Sequence, residues 1–162
     1  MISKKLEQAI NEQIKWELFS GYLYLSMATY FKEQNLDGFA NFFFKQEEEE
    51  REHAFKFIEY LNDRGARAIM EQMDKPESSF KSPEQVFQMS YEHEQLVTKR
   101  INDLMDIALK ENDHASVSFL QWYVDEQVEE EATMAGILQK LKMIQGSPGP
   151  LFQLDAQLGQ RK

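Results

Sequence analysis

The stretch Phe39-Ala40-Asn41-Phe42-Phe43-Phe44-Lys45-Gln46-Glu47-Glu48-Glu49-Glu50-Arg51-Glu52-His53-Ala54-Phe55-Lys56-Phe57-Ile58-Glu59-Tyr60-Leu61 decides the architecture. At a spacing of 3.6 residues, Phe39, Phe43, Gln46, Glu50, His53, Phe57 and Leu61 fall on one helical face. Apolar side chains hold both ends of that face, and Glu50 with His53, one turn apart, interrupts its middle. A long amphipathic helix with a polar patch at mid-height is therefore expected, and the rest of Glu47-Glu48-Glu49-Glu50 reads as a solvated face.

Working outward from this helix, caps and breakers divide the remainder of the chain. A first helix is expected from Ser3 to about Gln34, with Asn35-Leu36-Asp37-Gly38 as a short turn into the second, which runs to about Arg64 and stops at Gly65. Ser82 before Pro83 places an N-cap and a first-turn proline at the start of a third helix reaching about Lys110. Asn112-Asp113-His114 is a second tight turn, and a fourth helix continues to about Gln145, where Gly146-Ser147-Pro148-Gly149-Pro150 stops it. Turns this short force antiparallel hairpins. The connection from Ala66 to Ser82 can span about 55 Å when extended, against about 42 Å for a helix of about 28 residues. It can run the full length of a bundle and make the second and third helices parallel. The expected fold is all-α, a four-helix bundle over residues 1–145 with one long crossover. A short fifth helix and tail over 146–162 belong to the same domain, with Leu151, Leu154 and Leu158 on the face that docks.

The other three helices repeat the same interruption. The first carries Leu6, Ile10, Gln13, Glu17, Gly21, Tyr24, Ala28 and Phe31 on one stripe; the third carries Phe87, Ser90, Glu94, Val97, Ile101, Leu104 and Ala108. The fourth carries Leu120, Tyr123, Gln127, Glu130, Met134, Ile137 and Leu141. Each interruption lies near mid-helix, so bundle packing brings Glu17, Glu50, Glu94, Glu130, Gln127 and His53 to one height. Buried carboxylates that crowd one another need countercharge, and these stripes contain no Lys or Arg. A divalent cation answers that need, and oxygen ligands with one imidazole suit Fe(II), Mn(II) or, less well, Zn(II). Tyr24 lies on the face of Glu17 and can offer its hydroxyl to the site; Trp122 reads as packing, and His93 and His114 as surface residues.

Composition agrees. The chain has 162 residues with 28 Asp and Glu against 18 Lys and Arg, a net charge of −10, which excludes the basic surface expected of a nucleic-acid binder. Hydrophobic residues at 42% supply a real core, and the absence of cysteine rules out disulfides, thiolate metal sites and cysteine nucleophiles. The N-terminal Met1-Ile2-Ser3-Lys4-Lys5 leads into no apolar signal region, so a cytoplasmic setting is expected. The uncharged run from Leu18 to Phe31 is too short for a membrane span of about 20 residues. It is also apolar nearly all round, so its outer face is expected to meet another subunit.

Glu17, Glu50-x-x-His53, Glu94 and Gln127-x-x-Glu130, with Tyr22-Leu23-Tyr24-Leu25-Ser26-Met27, Val124-Asp125-Glu126-Gln127 and the terminal Gln157-Leu158-Gly159-Gln160, resemble the prokaryotic non-haem ferritins. Ferritin-like di-iron proteins place a Glu on each of two helices and Glu-x-x-His on each of the other two. This chain departs from the symmetric form by offering Gln127 and Glu130 on its fourth helix. The resemblance implies a non-haem di-iron centre, with Glu17, Glu50 and His53 at one position and Glu50, Glu94 and Glu130 at the other. Gln127 would stand nearby, and a third iron position would use Glu49, Glu126, Glu129 and Glu130. It further implies a ferroxidase that oxidises Fe(II) with dioxygen or peroxide and stores Fe(III) as a ferric oxyhydroxide mineral. The container would be a homo-oligomeric cage of 24 subunits. Bacterioferritins have a haem-ligating Met where this chain has Arg51, so no haem is expected, and a rubrerythrin's rubredoxin iron would need cysteine. Two rivals share parts of the pattern. A di-metal oxidase or peroxidase without storage would keep the ligands and lack the cage, whereas a metal-free interaction bundle would turn its four glutamates to solvent.

Overall fold

A computed structural model describes residues 1–162 as five helices: α1 Lys4–Glu33, α2 Asp37–Asp63, α3 Pro83–Lys110, α4 His114–Ile144 and α5 Pro148–Leu158. The starts follow from local chemistry. Ser3 accepts a hydrogen bond from the Leu6 amide, Ser82 from Gln85 and Asp113 from Ser116, each at 3.1 Å, satisfying amides that the first helical turn leaves free. The turns between hairpin partners use the left-handed region at Asn35 and Asn112, and Gly65 does the same after α2. Two boundaries differ from the sequence reading. Asp37 and Gly38 belong to α2, and Pro148-Gly149-Pro150 opens α5 in place of only closing α4.

The reason α2 starts early lies in the tail. Leu36 gives α2 no side-chain cap, and the carboxylate of Asp155 on α5 supplies one instead by accepting from the Phe39 amide at 3.0 Å. That contact needs a glycine opposite it, because a Cβ on Gly38 would stand 1.6 Å from the Asp155 carbonyl oxygen. Gly38→Ala is therefore expected to cost about 2 kcal/mol or more by overpacking, or to lift α5 and expose Leu154 and Leu158. A lowered Tm reads this out, and an unchanged Tm contradicts the contact.

Side-chain pairings fix the topology. On α1 and α2, Tyr24 meets Phe43 while Phe31 stacks on Phe39, so the two run antiparallel. On α1 and α3, Ser20 meets His93 and Tyr24 meets Glu94, while Ser3 near the start of α1 meets Glu111 at the end of α3, again antiparallel. It follows that α2 and α3 are parallel, and the crossover must travel the length of the bundle. It does so along α1: Asn11 binds the Arg67 carbonyl and the Ile69 amide, and Ser26, four turns further on, donates to the Glu77 carbonyl at 2.7 Å.

The core is divided in two. One apolar cluster contains Phe31, Phe39, Phe43, Phe87, Met134 and Leu141, and the other Leu6, Ile10, Phe57, Leu61, Val97, Ile101 and Leu120. Between them lies a buried polar layer that includes Gln13, Glu17, Gln46, Glu50, His53, Glu94, Gln127 and Glu130. Rigid aromatic packing above and below, with Phe31 stacked on both Phe39 and Phe43 and Phe57 stacked on Tyr123, sets the height of that layer.

Candidate metal centre

All four glutamates that interrupt the stripes are buried, none more than 5% exposed. Glu17 on α1 and Glu50 with His53 on α2 come closest together. Nδ1 of His53 lies 3.7 Å from Glu17 Oε2 and 3.5 Å from Glu50 Oε2, and the ligand atoms of the three residues all fall within 4.8 Å of one another. Neither Glu17 Oε2 nor Glu50 Oε2 has a hydrogen-bond partner, although both are buried. A buried carboxylate oxygen without a hydrogen bond is costly, and His53 offers these two only an ion pair at longer range. Two such atoms turned toward one imidazole nitrogen fit a cation held among them.

The electrostatics show how the layer balances without metal. Burial disfavours the charged imidazole, but the facing carboxylates of Glu17 and Glu50 outweigh it and push the His53 pKa up to about 11. Burial likewise works against ionising Glu17, yet His53 reverses that and holds Glu17 below its ordinary value. Glu50 goes the other way, raised well above the ordinary range by burial and by the charge of Glu94. Glu17 alone of the four is lowered: the countercharge missing from the stripes is supplied by His53 itself, and Glu17 takes it.

Glu94 and Glu130 complete the layer from α3 and α4. Burial first, then the charge of Glu130, raises Glu94 to about 8. Glu130 is raised by burial, with a Gln46 hydrogen bond acting against the rise. Glu130 acts on Glu94, and Glu94 on Glu50, but neither closes up with Glu50 as Glu17 and His53 do. Tyr24 donates its hydroxyl to Glu94, and burial together with that carboxylate raises the phenol well above its usual pKa.

Each of three carboxylates is held by one amide. Gln13 donates to Glu17 Oε1 at 2.7 Å, Gln46 to Glu130 Oε2 at 3.0 Å and Gln127 to Glu94 Oε2 at 3.0 Å. Gln127 had a place in the sequence reading; Gln13 and Gln46 stood on the same stripes without a role. Tyr123 donates to the His53 carbonyl at 2.7 Å and so ties α4 to α2 beside the imidazole. Trp122 packs edge-on to His53, with Lys56 over its face.

His93 corrects the sequence reading. It does not project into solvent: about 100° around α3 from Glu94, it turns toward α1, where its Nε2 lies 2.7 Å from the Ser20 hydroxyl and its ring packs on Phe19 and Tyr24. Burial, helped by the charge of Arg100, lowers its pKa to about 4. His114 is exposed, as read. Of the residues expected at a third position, Glu126 and Glu130 come together beside His53, and Glu49 and Glu129 stand apart from them. Glu126 approaches His53 Nε2 at 3.9 Å and lies with Glu130 in one cluster of ligand atoms, Glu129 is exposed, and Glu49 is bound by Arg161.

With this geometry in view, the ferritin-like domain family matches residues 7–144. A bacterial non-haem ferritin of Campylobacter jejuni is 43% identical over 155 residues, covering 96% of this chain and 93% of that protein. One from Bacteroides fragilis is 45% identical over 161 residues, covering 99% of this chain and all of that protein. Among solved structures, the open-pore ferritin of the hyperthermophilic archaeon Archaeoglobus fulgidus superimposes with a TM-score of 0.98 at 44% identity over the full length of both chains. The polar layer, the crossover and these matches agree: the chain belongs to the ferritin family, among the prokaryotic non-haem ferritins.

Proposed function

We propose that this protein takes up Fe(II), oxidises it with dioxygen at a di-iron centre and stores the ferric product inside a cage of 24 subunits. The observation that carries the reading is the pair of unpartnered buried oxygens, Glu17 Oε2 and Glu50 Oε2, both facing His53 Nδ1. Glu17, Glu50 and His53 would hold one iron, and Glu50, Glu94 and Glu130 the other, so that Glu50 is shared. Gln13 and Gln46 each hold one oxygen, of Glu17 and Glu130 respectively, and leave the other for the metal, whereas Glu94, bound by Gln127 on one oxygen and Tyr24 on the other, would offer its remaining lone pairs. Two Fe(II) supply two electrons to dioxygen, and hard anionic oxygens favour the Fe(III) that results. Protons must leave for iron to bind, because a His53 imidazolium has no lone pair for a metal, and Glu50 and Glu94, both raised, bind as anionic ligands only once ionised.

Assembly is supported by the outer face of α1. Tyr22 and Leu25 are exposed there, lining a groove with Leu18, Gly21 and Met73. No helix is long and apolar enough to cross a membrane. The burial of Glu17, Glu50, Glu94 and Glu130 argues against the metal-free interaction bundle, which needs them in solvent.

The test is anaerobic Fe(II) titration followed by air, with absorbance and particle mass recorded on one sample. A large assembly is expected before any metal is added, retaining far more iron than its ligand sets can hold. Iron retention that saturates at the ligand sets would favour the non-storage oxidase. A monomer at micromolar concentration would overturn the cage.

A further inference from the structure

Arg161, the penultimate residue, has its place set by four residues along α2: Asn41, Phe42, Gln46 and Glu49. Asn41 donates to the carbonyls of Leu158 at 3.3 Å and Arg161 at 2.9 Å, clamping the tail backbone. The guanidinium then lies over the Phe42 ring, 4.7 Å from its centroid. Its Nη1 donates to Gln46 Oε1 at 2.7 Å, and its Nη2 reaches both oxygens of Glu49 at 2.7 Å. Gln46 in turn donates to Glu130. The tail is thus wired to the rim of the polar layer and brings a cation to it from outside the bundle helices.

We propose that Arg161 is a built-in competitor for metal at Glu49: tail docking and cation binding at the outer, third position exclude each other. The proposal rests on the reading of Glu49 as a ligand of that position. Nη2 sits on the edge between the two oxygens of Glu49, where a metal chelated by both would lie, and the guanidinium charge repels a second cation. A metal that takes Glu49 must therefore displace Arg161, and by reciprocity a loosened tail must favour the metal. Gln46 keeps its bond to Glu130 in either state, so the inner positions feel the exchange less than the outer one. Arg161 acts here as a positioning residue.

Zn(II), which undergoes no redox chemistry, serves as the probe, titrated calorimetrically into the assembled wild type and the variants Arg161→Gln, Arg161→Lys and Glu49→Gln. Both partners of the ion pair are partly exposed, so the gain is modest: Arg161→Gln is expected to tighten the weakest resolved Zn(II) event about threefold to tenfold. The tighter events should move less, and Arg161→Lys should fall between, since an ammonium keeps the charge and loses the fork. In crystals of the Zn(II)-loaded wild type the guanidinium should have left Glu49. If Glu49→Gln weakens that event while Arg161→Gln leaves it unchanged or weaker, the competition is overturned and the third position stands. If Glu49→Gln changes no event, the third-position reading fails, and the competition falls with it.

Discussion

Replacing Glu50 and His53 together by alanine is expected to cut the initial rate of Fe(II) oxidation by about a hundredfold or more, with helix content and assembly intact. The magnitude follows from position. Losing a group that merely orients a metal ligand typically costs about 10-fold to 100-fold, and these two residues are the proposed ligands themselves. The fold should survive because the substitution removes an acid and its cationic neighbour at once. Burial and the charge of Glu94 raise Glu50 well above its ordinary range, so its loss relieves crowding. His53 is tied to α4 through its carbonyl, which accepts from Tyr123 whatever the side chain. Glu17 loses its countercharge but keeps the Gln13 hydrogen bond and can take up a proton. Stopped-flow oxidation beside circular dichroism and size-exclusion chromatography measures all three properties. An unchanged initial rate in the double variant would sink the assigned centre.

What the sequence made legible here was whatever depends on neighbours along one helix. Ser3, Ser82 and Asp113 start helices because a cap needs only the amides two or three residues ahead. The burial of Glu17, Glu50, Glu94 and Glu130 was legible because a helical stripe is a local property, and an acid on it goes where the stripe goes. Features that depend on a second element were not. Gly38 reads as a turn residue until Asp155 arrives from α5 to cap the helix it opens. His93 reads as exposed until α1 presents Ser20, Phe19 and Tyr24 to it. Arg161 lies beyond any helical period, and only the docked tail brings it to Glu49. The same limit explains the third position: Glu49, Glu126 and Glu129 share helices with the inner ligands, but their partners come from the tail, from His53 and from solvent respectively.

Glu94→Gln is expected to stabilise the metal-free protein at neutral to alkaline pH and to weaken its stabilisation by metal. In the folded chain Glu94 releases its proton near 8; in the unfolded chain the same group does so near about 4.3. Between those values the native state holds more protons than the unfolded one, so stability falls as pH rises across the window and levels off above it. His53 adds a loss of the same sign at higher pH. Its pKa is raised to about 11, so its contribution is complete below the unfolded value of about 6.5 and declines toward 11. Glu17, held low by His53, contributes above its unfolded pKa and loses that contribution only in acid. Comparing wild type with Glu94→Gln reads the Glu94 share, about 2–3 kcal/mol per subunit between pH 5.5 and 8 by this linkage, together with the relief of Glu50, which the Glu94 charge raises. The amide carbonyl of the new side chain can still accept from Tyr24, and Gln127, which donates to the other oxygen, can turn its amide to accept from the new NH2. Fe(II) added anaerobically should restore the wild type at pH 8 by binding the native state, and the variant less, because a neutral amide replaces an anionic ligand at the proposed second position. Thermal unfolding of both proteins at the two pH values, with and without Fe(II), decides it. An apo variant less stable than apo wild type at pH 8 would mean that Glu94 is not paying a burial cost there, and that the polar layer is balanced by something other than protons and metal.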